Sequence, residues 1–312
     1  MATILITGGT GLVGRKLTQL FISKGYDINI LTRTIPTKKA HENIHYFLWD
    51  VVAGTIDSKA IETADHIVHL AGAGVADARW TKKRKQEIVD SRVQSCQLIV
   101  KALETVNNNV QSIVSASAIG WYGADTPISL RDGFAETAPA DTEFLGETCR
   151  LWESSIQPVL ALNKRLVQLR IGIVLSSDGG ALLEFKKPIK TGVAAILGSG
   201  KQVISWIHIA DLCYLILFGI ENNSMQGIYN AVAPETITNK ALTLALAKKM
   251  RGQFFIPVHV PAFLLKLILG EMSIEVLKSA TVNSFKTQSS GFHYNYPTIN
   301  LALEQLCNKY LR

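Results

Sequence analysis

Three glycines at a fixed spacing are the first residues in this chain whose types could do chemistry. Thr7-Gly8-Gly9-Thr10-Gly11-Leu12-Val13-Gly14 places Gly8, Gly11 and Gly14 in a GxxGxxG pattern, directly after the apolar run Ile4-Leu5-Ile6. The turn needs a residue without Cβ at Gly8. At Gly11 the missing side chain lets a diphosphate reach backbone N–H groups at the positive end of a helix, and at Gly14 it lets that helix pack on the strand. A glycine pattern alone would suit any tight turn. Set between a strand and a helix it reads as a dinucleotide cradle, with Gly8, Thr10, Gly11, Leu12, Val13 and Gly14 at the ligand.

The end of the next apolar run selects among dinucleotides. An acid there holds the ribose 2′-hydroxyl of NAD, whereas this strand ends Leu31-Thr32-Arg33. No carboxylate stands there to repel a 2′-phosphate, and a guanidinium can pair with one bidentately, so the expected cofactor is NADP(H), held by Thr32 and Arg33. Asp50, just beyond a third strand, either contacts the adenine amino group or closes a turn. Leu70-Ala71-Gly72-Ala73 follows a fourth strand, and its small residues let the backbone pass close beneath the ribose and diphosphate.

Alternating strands and helices must position these residues. Strands are expected at 3–7, 27–32, 45–49, 66–70, 112–117 and 166–175. Helices are expected at 11–24, 81–106 and 144–162. This is the α/β pattern of a doubly wound, Rossmann-type parallel sheet. After Ser176 the alternation stops. Residues 1–178 read as the dinucleotide domain and 179–312 as a smaller α+β lobe, with the chain returning near 203–232, where Gly227-Ile228-Tyr229-Asn230-Ala231 looks like one more strand. A further helix is expected over 239–250.

Bulk properties narrow the partners. The chain has 312 residues and a formal charge of +7. Its only dense basic run, Lys82-Lys83-Arg84-Lys85, has no interleaved aromatics, so no nucleic-acid partner is expected. Attraction of a phosphorylated ligand accounts for mild basicity equally well. No apolar window reaches the roughly 18 residues of a membrane span, and no membrane partner is expected. The N-terminus runs straight into a strand, which leaves no room for a signal peptide and gives a cytoplasmic reading. Cys96, Cys149, Cys213 and Cys307 are scattered, without metal-binding spacing, and read as buried thiols.

Taken together these segments resemble the extended short-chain dehydrogenase/reductase superfamily, also called the NAD-dependent epimerase/dehydratase superfamily. The resemblance rests on the glycine loop, Leu70-Ala71-Gly72, Ser115-Ala116-Ser117 leading to Tyr122-Gly123, and Trp206-Ile207-His208-Ile209-Ala210-Asp211, where Asp211 would cap the next helix. The chain is most similar to the branch called epimerase family proteins, or nucleoside-diphosphate-sugar epimerases. That likeness is carried by Arg79-Trp80-Thr81, Asp90-Ser91-Arg92-Val93, Trp152-Glu153, Gly227 to Pro234, Leu269-Gly270-Glu271 and Ser290-Gly291-Phe292. It implies an NADP(H) site that also takes in Glu87 and Arg92, although each would equally suit a helix-surface ion pair. It also implies a homodimer built on the helices at 81–106 and 144–162.

In that superfamily a Tyr-x-x-x-Lys pair moves the proton and a Ser or Thr orients the substrate oxygen. None of the eight tyrosines here has a lysine four positions later, and the expected helix reads Phe144-Leu145-Gly146-Glu147-Thr148-Cys149-Arg150. What remains are Ser117, at the end of the fifth strand, and Tyr122 in the loop after it, the two candidate catalytic residues. The alternative for Ser117 is a bond to a neighbouring loop, and for Tyr122 it is packing. Glu147 reads as a replacement acid or base, or as an exposed helix glutamate. His208 reads as a substrate contact or as a histidine bonded to a backbone carbonyl. The resulting expectation is an NADP(H)-dependent oxidoreductase or epimerase-like enzyme with a small phosphorylated or nucleotide-linked substrate. The rival is an NADP(H)-binding sensor without the usual catalysis.

Overall fold

A computed structural model describes residues 2–37 and 41–307. The first part comprises β1 (Thr3–Thr7), α1 (Leu12–Ser23), β2 (Asp27–Thr32), β3 (Ile44–Asp50), β4 (Thr55–Ile56), α2 (Ser58–Glu62), β5 (His66–His69), α3 (Lys82–Thr105), β6 (Ser112–Ala118), α4 (Pro127–Asp132), α5 (Phe144–Ile156) and β7 (Arg165–Ile171). Then come β8 (Ile173–Leu175), α6 (Ala181–Lys190), β9 (Val193–Leu197), β10 (Val203–Ile204), β11 (Trp206–His208), α7 (Ile209–Glu221) and β12 (Gly227–Ala231). The chain continues through β13 (Ile237–Thr238), α8 (Asn239–Arg251), β14 (Ile256–Val260), α9 (Ala262–Leu269), α10 (Ser273–Leu277), α11 (Phe285–Ser289) and α12 (Ile299–Cys307).

Ile4, Leu5 and Ile6 are all buried because β1 lies inside the sheet with both faces covered. Ile4 and Ile6 pack with Leu17 and Phe21 of α1 and Leu212 and Ile216 of α7. Leu5 points the other way, into a core shared with Ile61, Cys96, Ile99 and Trp152. The main sheet has eight strands in the order β12-β7-β6-β5-β1-β2-β3-β4, parallel except for the β3–β4 pair. The strand order reverses between β1 and β5, so a crevice opens at their carboxyl ends, where ligands of such sheets bind. The glycine loop and Leu70 both emerge there. A third core joins Leu175, Leu182, Trp206, Leu242, Leu246 and Leu303 in the smaller lobe.

Two expected elements end early. The strand read over 166–175 breaks at Gly172, where an added Cβ would lie 2.8 Å from the Ser205 carbonyl oxygen. Beyond that contact the chain leaves the main sheet, and β8 pairs in parallel with β11. The helix read over 144–162 stops at Ile156 and tightens into a 3₁₀ turn over Gln157–Leu162. Pro158 lacks the N–H that would continue the α-helical ladder. The strand read at 227–231 pairs in parallel with β7. All four cysteines are free and buried. Among the described residues no group of His, Cys, Asp and Glu is placed to hold a metal ion.

A candidate dinucleotide cleft and the buried network beside it

The crevice at the carboxyl ends of β1, β2 and β5 is a cleft of about 1500 Å³ whose walls include Gly8, Thr10, Gly11, Arg33, Asp50 and Gly72. Thr32, Leu70, Ala71 and Glu87 also line it. Gly8 takes a φ of 70°, and a Cβ there would stand 3.0 Å from the Leu70 carbonyl carbon, so the loop lies flat on the strand end. Gly11 is the N-cap of α1; no side chain caps the helix and no acid sits in its first turn. The first amides of α1 are therefore left to an anion. A backbone cradle without side chains, an uncapped helix end and the cation of Arg33 on one rim fit a dinucleotide of this kind.

Gly14 shapes the loop from behind, since a Cβ there would fall 2.2 Å from the Gly8 carbonyl oxygen. Leu12 turns away from the cleft and packs over Gly179, whose Cβ would meet it at 3.0 Å. Val13 packs against the core on the α1 side of the sheet.

A wire of hydrogen bonds beneath the floor sets where Leu70 and Ala71 lie. Their N–H groups donate to Thr7 Oγ1 at 3.1 and 3.2 Å. The Thr7 hydroxyl then donates to His69 Nδ1 at 2.7 Å, which leaves the ring proton on Nε2, 3.2 Å from Ser95 Oγ. Ser95 in turn donates to the Arg92 carbonyl at 3.0 Å. Burial, helped by the charge of Arg92, pushes the His69 pKa down to about 3. The unfolded chain takes up a proton near pH 6.5 and the folded chain does not, so the contribution of neutral His69 is present above 6.5 and lost as pH falls toward 3. Unfolding measurements from pH 7 to 5 are expected to show about 2 kcal/mol less stability from this group. A His69→Gln variant should have a shallower pH slope; an unchanged slope would refute the assignment.

Arg92 supports the floor rather than lining it. Its Nη1 donates to the Ala73 and Ile88 carbonyls, both at 2.9 Å, and a Cβ on Gly72 would lie 3.2 Å from the guanidinium carbon. Its cation lies 4.8 Å from the Trp152 ring, and burial lowers its pKa. Glu87 pairs with Arg84 at 2.8 Å on the cleft wall. Asp50 closes a turn, its Oδ1 accepting from the N–H groups of Val52 and Ala53 at 2.9 and 3.0 Å. Thr32 Oγ1 donates to the Thr34 carbonyl at 3.0 Å. Arg33 is exposed, and among the described residues no carboxylate pairs with it.

Ser117 and Tyr122 do not line this cleft. Both belong to a buried network between α5, β7 and β12, and both hydroxyls are engaged there. Ser117 Oγ donates to Glu153 Oε1 at 2.6 Å. The same carboxylate receives Arg170 Nε at 2.8 Å and Nη2 at 2.9 Å. Arg170 Nη1 donates to the Tyr122 hydroxyl and to the Glu136 carbonyl, each at 3.0 Å, and the Tyr122 hydroxyl donates to Asn230 Oδ1 at 2.7 Å. The Trp121 ring covers the guanidinium at 3.7 Å. Burial raises the Tyr122 pKa to about 12, against the Arg170 charge. Burial also opposes the Arg170 cation, but its bonds to Glu153 more than offset this and leave its pKa raised. A tyrosine so held is a poor proton donor at neutral pH.

The sequence of residues 4–145 matches the NAD-dependent epimerase/dehydratase family, and residues 260–306 match a domain of unknown function, DUF1731. An epimerase family protein of Staphylococcus aureus is 36% identical over 99% of this chain and 100% of its own length. One from Bacillus subtilis is 32% identical over 97% of each chain. This chain is an epimerase family protein. The crystal structure of a human epimerase family protein with NADPH superimposes with a TM-score of 0.83 at 25% identity, covering 98% of this chain and 99% of that one. The epimerase family protein described here is thus a nicotinamide-dinucleotide-binding, epimerase-like short-chain dehydrogenase/reductase.

Two expected roles at the rear of this protein change. Asp211 does not cap α7; its carboxylate accepts from the N–H groups of Asn295 and Tyr296, both at 2.9 Å, and anchors the C-terminal segment. The cap is His208, whose Nδ1 accepts from the Ala210 N–H at 3.1 Å while Nε2 meets Gln305 Oε1 at 3.0 Å. That leaves His208 bonded to a side chain rather than to a carbonyl, and buried. Glu147 forms an exposed pair with Arg150. Sequence reasoning missed Glu153, Arg170 and Asn230 as a set. The available signal was Arg170 itself, a cation among the apolar residues Leu166, Val167, Leu169 and Ile171 of one strand, which demands a buried partner.

Proposed function

We propose that the cleft holds NADP(H) and that this protein is an epimerase-like oxidoreductase acting on a small phosphorylated or nucleotide-linked carbonyl or sugar substrate. One observation carries the choice of cofactor. The exposed cation just past β2, Arg33, lines the cleft, and among the described residues no carboxylate pairs with it, which leaves it for a 2′-phosphate. The NADPH in the human relative supports the same reading. Gly8, Thr10 and Gly11 would hold the diphosphate with backbone groups, Thr32 and Arg33 the 2′-phosphate, and Leu70 to Gly72 the ribose side. When bound, the nicotinamide supplies a hydride donor or acceptor. The chain binds and orients it, while the wire from Thr7 to Ser95 keeps the floor fixed.

Arg33→Ala is expected to weaken NADPH binding on the order of tenfold, the worth of one partly exposed charge-assisted pair, and to leave NADH nearly unchanged. Titration by nucleotide fluorescence reads both constants; equal losses would sink the assignment. A second reading, an NADP(H) sensor, draws support from the engaged hydroxyls of Ser117 and Tyr122. The enzyme reading expects NADPH to be consumed with some member of a carbonyl and sugar-nucleotide panel. Tight NADPH binding with no consumption across the panel favours the sensor.

A further inference from the structure

Between Glu235 and Glu271 the chain carries Lys240, Lys248, Lys249, Arg251 and Lys266 and not one acidic residue. The same stretch holds the densest run of exposed large apolar side chains: Phe254, Ile256, Val258, Phe263, Leu264, Leu267 and Ile268. In α9 the pairs Phe263/Leu267 and Leu264/Ile268 are each four residues apart, so all four share one face. Phe263 and Leu267 are 72% and 71% exposed, and Leu265 is the only buried residue of the helix. The helix is not loose. Arg79 Nη2 donates to the Leu267 carbonyl at 3.1 Å, and a Lys85–Glu271 ion pair ties the following turn to α3. Arg251 Nε donates to the Phe254 backbone carbonyl at 2.9 Å, which ties that cation to the exposed segment.

A fixed helix that shows a four-residue apolar face, set in a stretch of unrelieved positive charge, marks an interaction surface. The charge says which kind. A second copy of this chain would set five like cations against five and be repelled. An anionic bilayer surface accepts both features, with the apolar face in the headgroup–acyl boundary and the ammonium groups among the headgroups. No helix among the described residues is long and apolar enough to cross a membrane, so the contact is a surface one. We propose that the segment from Lys248 to Ile268 docks this protein onto anionic lipid bilayers. Phe263, Leu264, Leu267 and Ile268 form the inserted face, and Lys248, Lys249, Arg251 and Lys266 supply the electrostatic attraction. A surface contact needs no spanning segment, so it leaves no mark in the sequence of the kind that a membrane span does.

Co-sedimentation of the full chain with vesicles tests this. Vesicles of phosphatidylcholine mixed with phosphatidylglycerol are expected to pellet the protein at low salt, less so at high salt, and neutral vesicles to pellet little. Phe263→Ser with Leu267→Ser should reduce partitioning at least roughly tenfold, given the apolar area withdrawn. Lys248→Glu with Lys249→Glu should reduce it on the order of tenfold through lost attraction. Both double variants should keep the parent's NADPH affinity, since neither pair touches the cleft; Lys248→Glu with Lys249→Glu should lower the melting temperature slightly, because it removes two cations from the C-terminal turn of α8. Failure to pellet with anionic vesicles would overturn the proposal, as would equal pelleting with neutral ones or variants that pellet like the parent. It is also overturned if light scattering finds a dimer that Phe263→Ser with Leu267→Ser dissociates, for then a second copy covers the face.

Discussion

Arg170→Ala is expected to cost about 3–5 kcal/mol of folding stability, the range for breaking one side of a buried ion pair. The Arg170 and Glu153 side chains are 1% and 4% exposed, so truncation leaves a carboxylate without water or counter-ion. The damage spreads through the network. The Tyr122 hydroxyl loses a donor, the Glu136 carbonyl loses another, and the Trp121 ring loses the cation stacked on it. Urea denaturation measures the loss. A double replacement, Arg170→Met with Glu153→Leu, should recover much of it, because two apolar residues of similar volume leave no charge unpaired. A loss under about 1 kcal/mol for the single variant would mean that Glu153 finds water or another partner, and that the network is looser than its distances imply. NADPH affinity should change little, since none of these side chains lines the cleft.

Gly14→Ala addresses the cleft. An alanine Cβ would sit 2.2 Å from the Gly8 carbonyl oxygen and 2.6 Å from the Gly9 Cα. Both are backbone atoms, so no rotamer change relieves the clash and the loop itself must shift. Overpacking costs about 1–3 kcal/mol, and here it falls on the conformation that would receive the diphosphate. NADPH affinity is therefore expected to drop roughly 10- to 100-fold, with far-ultraviolet circular dichroism unchanged. The two measurements separate a displaced loop from an unfolded chain. Unchanged affinity would show that the loop has a second conformation equally fit for the ligand.

These two variants also divide what could be read early from what could not. Gly14 was legible because its constraint is local. The strand, the turn and the helix whose first turn holds Gly14 all lie between Thr3 and Ser23, and a missing Cβ has one geometric meaning in that order. The strands at 3–7 and 27–32 were legible for a similar reason, since a continuous apolar run marks a strand covered on both faces. Arg33 followed directly, because a strand end needs no long-range contact to be placed at the crevice.

Ser117 and Tyr122 were found as positions but not as environments. Ser117 reaches Glu153 across 36 residues, and Tyr122 reaches Asn230 across 108. Neither distance is set by any periodicity in the chain; both depend on how α5 and β12 pack beside β7. The same holds for Asp211 and His208. Both sit where α7 begins, and only the return of the segment around Asn295 and Tyr296 decides that the carboxylate goes to that segment and the imidazole to the helix end.

By itself, then, the sequence determined a parallel α/β sheet and a cradle for a dinucleotide after its first strand, because short-range patterning and glycine sterics suffice for both. Tertiary structure alone decided which polar side chains face the cleft and which are buried against one another. It also decided that α9 keeps an apolar face outward. A buried polar group is settled by partners from distant segments, and no local pattern encodes where those segments meet.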